Sequence, residues 1–307
     1  MKIAYLFPGQ GTQTIGMGKD LYEKYDEVKN IYNKVKEITG IDIAKISFEG
    51  PEEELNKTQN TQLAVLTESL AILEVLKKKG IKAEISAGLS LGEYTALIED
   101  GVFSLEDGIK LVQKRGEIMQ NYTPNGNWKM AAILGLDEKS VEDVCKKVEN
   151  GFVVPANYNT IGQIVISGEE QAVIEAGELA KQAGAKKVAI LNTAGPFHTS
   201  KLVDCSAKLK EELDKIPINS KDSKVVKNID GTRYSENDDV AKILANHIMN
   251  PVRFTSCLQT MFDDGVDTFV EVGPGKTLSA FVKRMKFEGE ISIISLNNVQ
   301  ALEDFNL

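Results

Sequence analysis

Short apolar runs alternate along the chain with longer segments in which apolar residues recur every three or four positions. The run at 3–7 predicts a buried strand. The leucines within 61–79 stand at helical spacing, which predicts a helix that ends before Gly80. The same patterns predict a strand at 84–88 and helices at 93–99 and 105–121. Strands that alternate with helices in this way are typical of a parallel sheet flanked by helices.

The middle of the chain has a different order of elements. The patterns there predict strands and helices in the order strand 128–134, helix 138–149, strand 152–156, strand 163–167, helix 169–183 and strand 187–191. The order β-α-β-β-α-β is that of a ferredoxin-like domain. We therefore expect a small ferredoxin-like domain at 125–197, inserted into a large α/β domain made of 1–124 and 198–307. The elements predicted in the second part of the large domain are helices at 200–215 and 239–249 and a strand at 268–272.

Charge and hydropathy exclude several classes of protein. The formal net charge of the 307 residues is -9, which disfavours nucleic acid and anionic membrane surfaces as partners, because phosphate groups attract basic surfaces. No apolar stretch approaches the ~20 residues of a membrane span. The run at 3–7 is too short for a signal peptide. We expect a cytoplasmic protein, and a monomer.

The cysteines predict neither disulfides nor a metal site. Cys145, Cys205 and Cys257 lie far apart without a C-x-x-C pair, and the two histidines of the chain cannot complete a zinc site with them. We expect free thiols and no bound metal. A basic cluster at 283–286 predicts either a solvated face or a docking patch for an acidic partner.

Residues 88–92 read Gly-Leu-Ser-Leu-Gly, the G-x-S-x-G spacing of a nucleophile elbow. The predicted strand before this segment and the predicted helix after it are the context that such an elbow requires. Ser90 is therefore the candidate nucleophile. The backbone N–H of Leu91, at the start of the helix, would point at negative charge that develops on a bound carbonyl.

A serine hydroxyl needs a base, and the chain holds only two histidines. His198 follows the predicted strand at 187–191 and a loop at 192–197, a position beyond a strand end that suits a cleft residue. His247 lies inside a predicted helix, which suits a packed structural histidine. We select His198 as general base and acid. No acidic residue between Ser90 and His198 has a distinctive setting, so the group that orients His198 stays open at this point.

Arg115 is placed on the apolar face of its predicted helix. Its neighbours three and four positions away are Leu111, Val112, Ile118 and Met119. A buried guanidinium needs a partner, and its planar fork matches a carboxylate. Two hypotheses follow, namely a structural salt bridge to an internal Asp or Glu, and a substrate that carries a carboxylate.

Several motifs together resemble the malonyl-CoA:acyl carrier protein transacylases of bacterial fatty acid synthesis, and the acyltransferase domains of polyketide synthases. The segments that carry the resemblance are, in chain order, FPGQGTQ at 7–13, GLSLGEY at 88–94, KRG at 114–116, FHTS at 197–200 and EVGPG at 271–275. The resemblance extends from the first strand to at least residue 285.

The resemblance implies a fold and a set of roles. The family fold is an α/β, hydrolase-like parallel-sheet core with an inserted ferredoxin-like domain. Ser90 would carry a malonyl ester and His198 would shuttle the proton. The backbone N–H groups of Gln10 and Leu91 would form an oxyanion hole. Arg115 would pair with the malonyl carboxylate, and Phe197 would confer malonyl selectivity. The backbone carbonyl of His247 would orient His198.

The implied reaction moves a malonyl group from malonyl-CoA to the pantetheine thiol of acyl carrier protein by a ping-pong mechanism. The resemblance implies no metal or redox cofactor. The rival hypotheses are a serine esterase or thioesterase, in which water accepts the acyl group, and a non-catalytic subunit that docks a carrier protein.

The chain departs from the family pattern at several positions. Leu89 stands where the family usually has His, and His247 where it usually has Gln. Trp128 replaces part of a Gly-rich stretch, and we expect its ring to narrow the cleft. These departures leave the nucleophile, the base and the oxyanion donors in place.

Overall fold

The computed structural model describes residues 1–191 and 195–305. Its strands are, in chain order, β1 (Ile3–Phe7), β2 (Ile85–Gly88), β3 (Trp128–Leu134), β4 (Val153–Thr160), β5 (Gln163–Glu169), β6 (Lys187–Leu191), β7 (Val252–Arg253), β8 (Thr268–Val272) and β9 (Ser292–Leu296).

Its helices lie between and around these strands. They are α1 (Lys19–Lys24), α2 (Asp26–Thr39), α3 (Ile43–Glu49), α4 (Glu52–Leu55), α5 (Thr58–Lys78), α6 (Leu91–Glu99), α7 (Leu105–Asn121), α8 (Glu138–Lys146), α9 (Glu170–Gln182), α10 (Val203–Leu213), α11 (Val240–His247), α12 (Phe254–Asp263), α13 (Thr277–Met285) and α14 (Val299–Asp304), with a 3-10 turn at Ser200–Leu202. In the described ranges, none of these helices has both the length and the apolar character that a membrane span requires.

The protein has a mixed α/β fold built on a parallel sheet. The four strands of this sheet lie in the order β2-β1-β8-β9, and each neighbouring pair is parallel. Every residue of β1, β2 and β8 is buried, as expected where helices cover both faces of a sheet. Phe7 pairs with Gly88 at the carboxyl ends of β1 and β2. The loop after β1 therefore lies beside the turn that carries Ser90.

A second sheet contains five strands in the order β6-β3-β5-β4-β7. The pairs among β3, β4, β5 and β6 are antiparallel, and β4 pairs with β7 in parallel. From β3 to β6 the elements follow the predicted order, and α8 and α9 enclose a separate apolar core with these strands. The strand β7 comes from a later part of the chain. A hydrogen bond from Thr160 Oγ1 to the carbonyl of Phe281 (2.9 Å) adds a second link between the two parts.

Most predicted elements are observed, and five of them have the predicted bounds: 3–7, 105–121, 128–134, 187–191 and 268–272. The helix predicted at 138–149 ends at Lys146, and the strand predicted at 152–156 continues to Thr160. Of the loop predicted at 192–197, residues 192–194 lie outside the described residues. The sequence analysis predicted none of α1 to α4, α12 to α14, β7 and β9. Of these, α1, α3 and α4 are short helices, which show few turns of periodicity.

The helix α5 is buried along most of its length and passes through the centre of the large apolar core. A helix with an apolar surface all round is expected in such a position. It nevertheless carries Glu68, whose side chain is 1% exposed. Burial, with a smaller effect of the Asp20 charge, raises the pKa of Glu68 from its ordinary value of 4.5 to about 8. The folded state therefore favours the protonated, neutral form of this carboxyl.

We expect Glu68→Gln to change how the stability depends on pH. Between about pH 5 and pH 8 the folded protein keeps a proton on Glu68 that the unfolded chain has lost, so the free energy of unfolding falls as pH rises, by ~1.4 kcal/mol per pH unit. Glutamine removes this contribution, so the free energy of unfolding of the variant should rise relative to that of the wild type as pH increases. Denaturant unfolding at several pH values measures the difference.

Glu37→Gln, at an exposed position of α2, serves as the control for this experiment and should follow the wild type at every pH. Parallel stability curves for wild type and Glu68→Gln would show that Glu68 is ionised in the folded protein.

Candidate active site

Ser90 lies in a sharp turn between β2 and α6. Its φ of 52° and ψ of -95° lie in a strained region for a non-glycine residue. The turn is possible because strand and helix approach closely at two glycines. A Cβ at Gly88 would overlap the backbone of Gly92, and a Cβ at Gly92 would overlap the carbonyl of Phe7. The G-x-S-x-G spacing therefore has a direct steric reason.

The strained turn is held by Asn228, a residue that the sequence did not single out. Its Nδ2 donates to the carbonyl of Gly88 (2.7 Å), and its Oδ1 accepts from the backbone N–H of Ser90 (2.7 Å). Asn228 reaches the turn because the segment before it pairs with Ser86, at the open edge of β2. This pairing is non-local and the segment has no periodic pattern, so no sequence signal could have identified Asn228.

His198 is the group that can activate Ser90. Its Nε2 lies 2.8 Å from Ser90 Oγ. Its Nδ1 lies 3.1 Å from each of two backbone carbonyls, those of His247 and Asn250. Because a carbonyl can only accept, Nδ1 carries the ring hydrogen, and Nε2 is the acceptor that faces the serine.

His247 is the last residue of α11, and its carbonyl, which also accepts from the backbone N–H of Asn250 (3.1 Å), has a second lone pair for His198. The residue that the resemblance assigns to orient His198 is therefore in contact with it.

The imidazole of His198 is buried, at 4% exposure. Burial, followed by the nearby charges of His247 and Arg115, lowers the pKa of His198 well below its ordinary value of 6.5. The ring is therefore neutral over the physiological pH range, which a general base requires.

Arg115 is 2% exposed and points to the nucleophile. Its Nη2 donates to Ser90 Oγ (3.0 Å), its Nη1 donates to Gln62 Oε1 (2.6 Å), and its guanidinium carbon lies 5.1 Å from the centre of the Tyr94 ring. Among the described residues no Asp or Glu forms an ion pair with Arg115, so the internal salt bridge considered above is not observed. A buried positive charge thus faces the serine, and no carboxylate in residues 1–191 and 195–305 pairs with it.

The two positions named for the oxyanion hole meet beside Ser90. Gln10 follows β1 and Leu91 is the first residue of α6, and both line the same cleft as Ser90. The first N–H groups of a helix have no intrahelical acceptor, so the N–H of Leu91 is free to bind an oxygen.

The cleft has a volume of about 250 Å³ and lies between the two sheets. Phe197 lines it, and Leu89 contributes an apolar side chain next to the nucleophile. Residues from the second sheet complete the opposite wall: Met130, Ala132, Asn157, Asn159, Gln163 and Val165.

Trp128 is not among the described residues that line the cleft, and its Nε1 donates to the carbonyl of Pro124 (2.7 Å). The expectation that its ring narrows the cleft is therefore wrong, because this hydrogen bond holds the indole against the loop before β3.

The three cysteines are buried free thiols, as predicted. Within residues 1–191 and 195–305, no group of three or more His, Cys, Asp or Glu side chains is arranged to hold a metal ion.

Comparison with known proteins defines the class to which this fold and site belong. The family model described as acyl transferase domain matches residues 4–292. The malonyl CoA-acyl carrier protein transacylase of Bacillus subtilis (strain 168) is 42% identical over 304 residues, which cover 98% of this chain and 95% of that protein. The chain therefore belongs to the acyl transferase family, within its malonyl-CoA:acyl carrier protein transacylases.

Solved structures agree with this assignment. The crystal structure of malonyl CoA-acyl carrier protein transacylase from Clostridium perfringens Atcc 13124 has a TM-score of 0.93 and 41% identity, covering 99% of this chain and 95% of that one. A malonyl-transacylase solved in complex with its type II PKS acyl-carrier protein has a TM-score of 0.93 and 36% identity, with 99% and 98% covered.

We expect Asn228→Ala to destabilise the protein by about 2–6 kcal/mol. The substitution leaves the N–H of Ser90 and the carbonyl of Gly88 without these partners, and each orphaned buried group costs about 1–3 kcal/mol. Denaturant unfolding gives the change in the free energy of unfolding. The matched control is Asn219→Ala, which removes a comparable hydrogen bond to the carbonyl of Gly101 at an exposed position and should cost at most ~0.5 kcal/mol. Equal losses in the two variants would contradict the role given to Asn228.

Proposed function

We propose that the protein transfers a malonyl group from malonyl-CoA to the pantetheine thiol of acyl carrier protein, for fatty acid elongation. It is an S-malonyltransferase, and Ser90 carries the acyl group between the two thiols. The names of the relatives support the reaction, and the complex of one related transacylase with an acyl-carrier protein supports the acceptor.

The observation that carries the proposal is the environment of Arg115. The guanidinium is 2% exposed, donates to Ser90 Oγ, and has no carboxylate partner among the described residues. A malonyl thioester brings a free carboxylate into the cleft, and pairing with Arg115 compensates both charges. An acetyl group has no charge to offer, so Arg115 distinguishes the two substrates. Phe197, on the wall of the cleft, restricts branching next to the malonyl carbonyl.

The first half-reaction acylates Ser90. Nε2 of His198 accepts the proton of Ser90 Oγ as this oxygen attacks the thioester carbonyl. The backbone N–H groups of Gln10 and Leu91 hold the oxyanion that forms, where the loss of one donor typically costs ~2.7–4 kcal/mol. The tetrahedral intermediate then collapses, the C–S bond breaks, and His198 returns its proton to the sulfur of coenzyme A.

The second half-reaction repeats these steps with the other thiol. His198 accepts the proton of the pantetheine thiol as its sulfur attacks the serine ester, and the same oxyanion hole is used. Collapse breaks the C–O bond and His198 returns the proton to Ser90 Oγ. The backbone carbonyls of His247 and Asn250 keep the ring in the tautomer that both half-reactions need. The chemistry requires no metal or redox cofactor.

We also propose a division of the chain into two structural units. Residues 1–124 and 198–307 form a hydrolase-like catalytic unit around the parallel sheet, and residues 125–197 form an inserted ferredoxin-like unit. The strand order β6-β3-β5-β4 and the enclosed core of α8 and α9 support the second assignment. The cleft then lies at the junction of the two units.

We expect Arg115→Ala to lose its preference for malonyl-CoA over acetyl-CoA. The substrate carboxylate would be buried without its partner, which costs about 3–5 kcal/mol, or a decrease of about 10²–10⁴-fold in the rate of acylation by malonyl-CoA. Intact-protein mass spectrometry after incubation with each thioester measures this rate. The control is Lys114→Ala, an exposed neighbour that pairs with Glu117. A malonyl preference that survives in Arg115→Ala would exclude the carboxylate pairing.

We expect the malonyl group to stay on the protein until a thiol arrives. With malonyl-CoA alone, the wild type should gain the mass of one malonyl group and Ser90→Ala should gain none. Addition of holo acyl carrier protein should then discharge the wild type and yield malonyl-carrier protein. Release of free malonate without an acceptor would indicate a thioesterase. An unmodified wild type would favour the non-catalytic docking function.

A further inference from the structure

The side chain of His247 lies against the base, although only its backbone carbonyl is used in the mechanism above. The centres of the His247 and His198 rings are 4.9 Å apart, with 39° between the ring planes. His247 is 2% exposed and sits at the C-terminal end of α11, where the helix dipole favours a positive charge.

A buried carboxylate holds the second histidine in this position. Glu93 is 1% exposed, and its Oε2 lies 3.3 Å from Nδ1 of His247. Its other oxygen accepts from the hydroxyl of Tyr234 (2.8 Å) and from the backbone N–H of Asn228 (3.2 Å). A carboxyl group this deeply buried needs polar partners, and the imidazole of His247 lies within ion-pairing distance of it when protonated.

The pair connects to both reacting groups. Glu93 reaches the turn of Ser90 through Asn228, which binds the N–H of Ser90. His247 reaches His198 through its carbonyl and through the contact between the rings.

Other titratable groups also surround the two imidazoles. Near the imidazoles these groups are Glu93 and Tyr94 of α6, Arg115 of α7, Glu142, Cys145 and Lys146 of α8, and Cys205 of α10, which packs against α11. Tyr234 and Cys257 lie near Glu93. After burial, the charges that act on the pKa of His198 are those of His247 and then Arg115.

We infer that the side chain of His247, paired with Glu93, is a positioning residue that disfavours the protonated form of His198 and so extends to lower pH the range in which His198 accepts the proton of Ser90. The inference rests on the proposed function for its catalytic consequence. The physical cause is repulsion between two imidazolium rings in a buried site, where water and salt screen charges weakly. Glutamine, the residue that the family pattern usually has here, would keep the backbone carbonyl and lack the charge.

The chain is well suited to a direct test because it contains only two histidines. The NMR signals of ¹³C-labelled imidazoles can be followed against pH in the wild type, in His247→Gln and in His198→Gln, and each variant assigns the remaining signal. We expect the titration midpoint of His198 to rise by about 1 pH unit in His247→Gln. The acidic limb of kcat/KM for malonyl-CoA should move to higher pH by the same amount.

The control must disturb α11 without changing a charge. Ser206→Ala does this, because Ser206 Oγ donates to the carbonyl of Ala245 in that helix (2.7 Å). Its His198 midpoint should equal that of the wild type. If His247→Gln does not fold, the same titration can be measured in His247→Asn, which is also neutral.

Two results would overturn the inference. One is an unchanged His198 midpoint in the neutral His247 variants. The other is an equal shift in Ser206→Ala, which would assign the effect to packing of α11. The proposed function fails separately, if the wild type forms no malonyl ester, and the NMR titration still tests the interaction of the two histidines in that case.

Discussion

The hydrogen bond between Ser90 Oγ and His198 Nε2 is the contact on which the site depends, and it joins residues 108 positions apart. Both residues have positive φ, 52° and 59°, a conformation that costs of order 1–3 kcal/mol at a non-glycine position. The strain persists because the surroundings leave no alternative. Asn228 binds both sides of the serine turn, and two carbonyls bind the far nitrogen of the imidazole. The dyad is therefore held by groups that take no part in the chemistry.

The parallel sheet explains why the loops around the dyad converge. The pairing of Phe7 with Gly88 aligns the carboxyl ends of β1 and β2, so Gln10 and Ser90 emerge side by side. The opposite wall of the cleft belongs to the second sheet, which is tied to the first part by β7 and by the hydrogen bond from Thr160 to Phe281. The position of one sheet relative to the other must therefore stay fixed for the cleft to keep its shape.

Three ionisable side chains are buried around Ser90 and His198. Arg115, Glu93 and His247 are each at most 2% exposed and lie around the same dyad. Glu93 Oε2 and His247 Nδ1 lie 3.3 Å apart, whereas Arg115 contacts only the neutral groups of Gln62, Ser90 and Tyr94 among the described residues. Glu93 thus has a partner of possible opposite charge within the protein, and the guanidinium of Arg115 has no carboxylate partner among the described residues.

Sequence by itself determined the local features. Periodicity located β3, α7 and β8 with their observed bounds, the glycine spacing located the turn of Ser90, and the apolar neighbours of Arg115 predicted its burial, because each of these depends on residues a few positions apart. The choice between the two histidines needed only their settings in the chain. The tertiary structure decided what distant segments do to one another. It decided that Asn228 supports the serine, that no described carboxylate pairs with Arg115, that Trp128 stays out of the cleft, and that Glu93 meets His247. Such contacts depend on strand order and packing, and a short window of residues carries no trace of either.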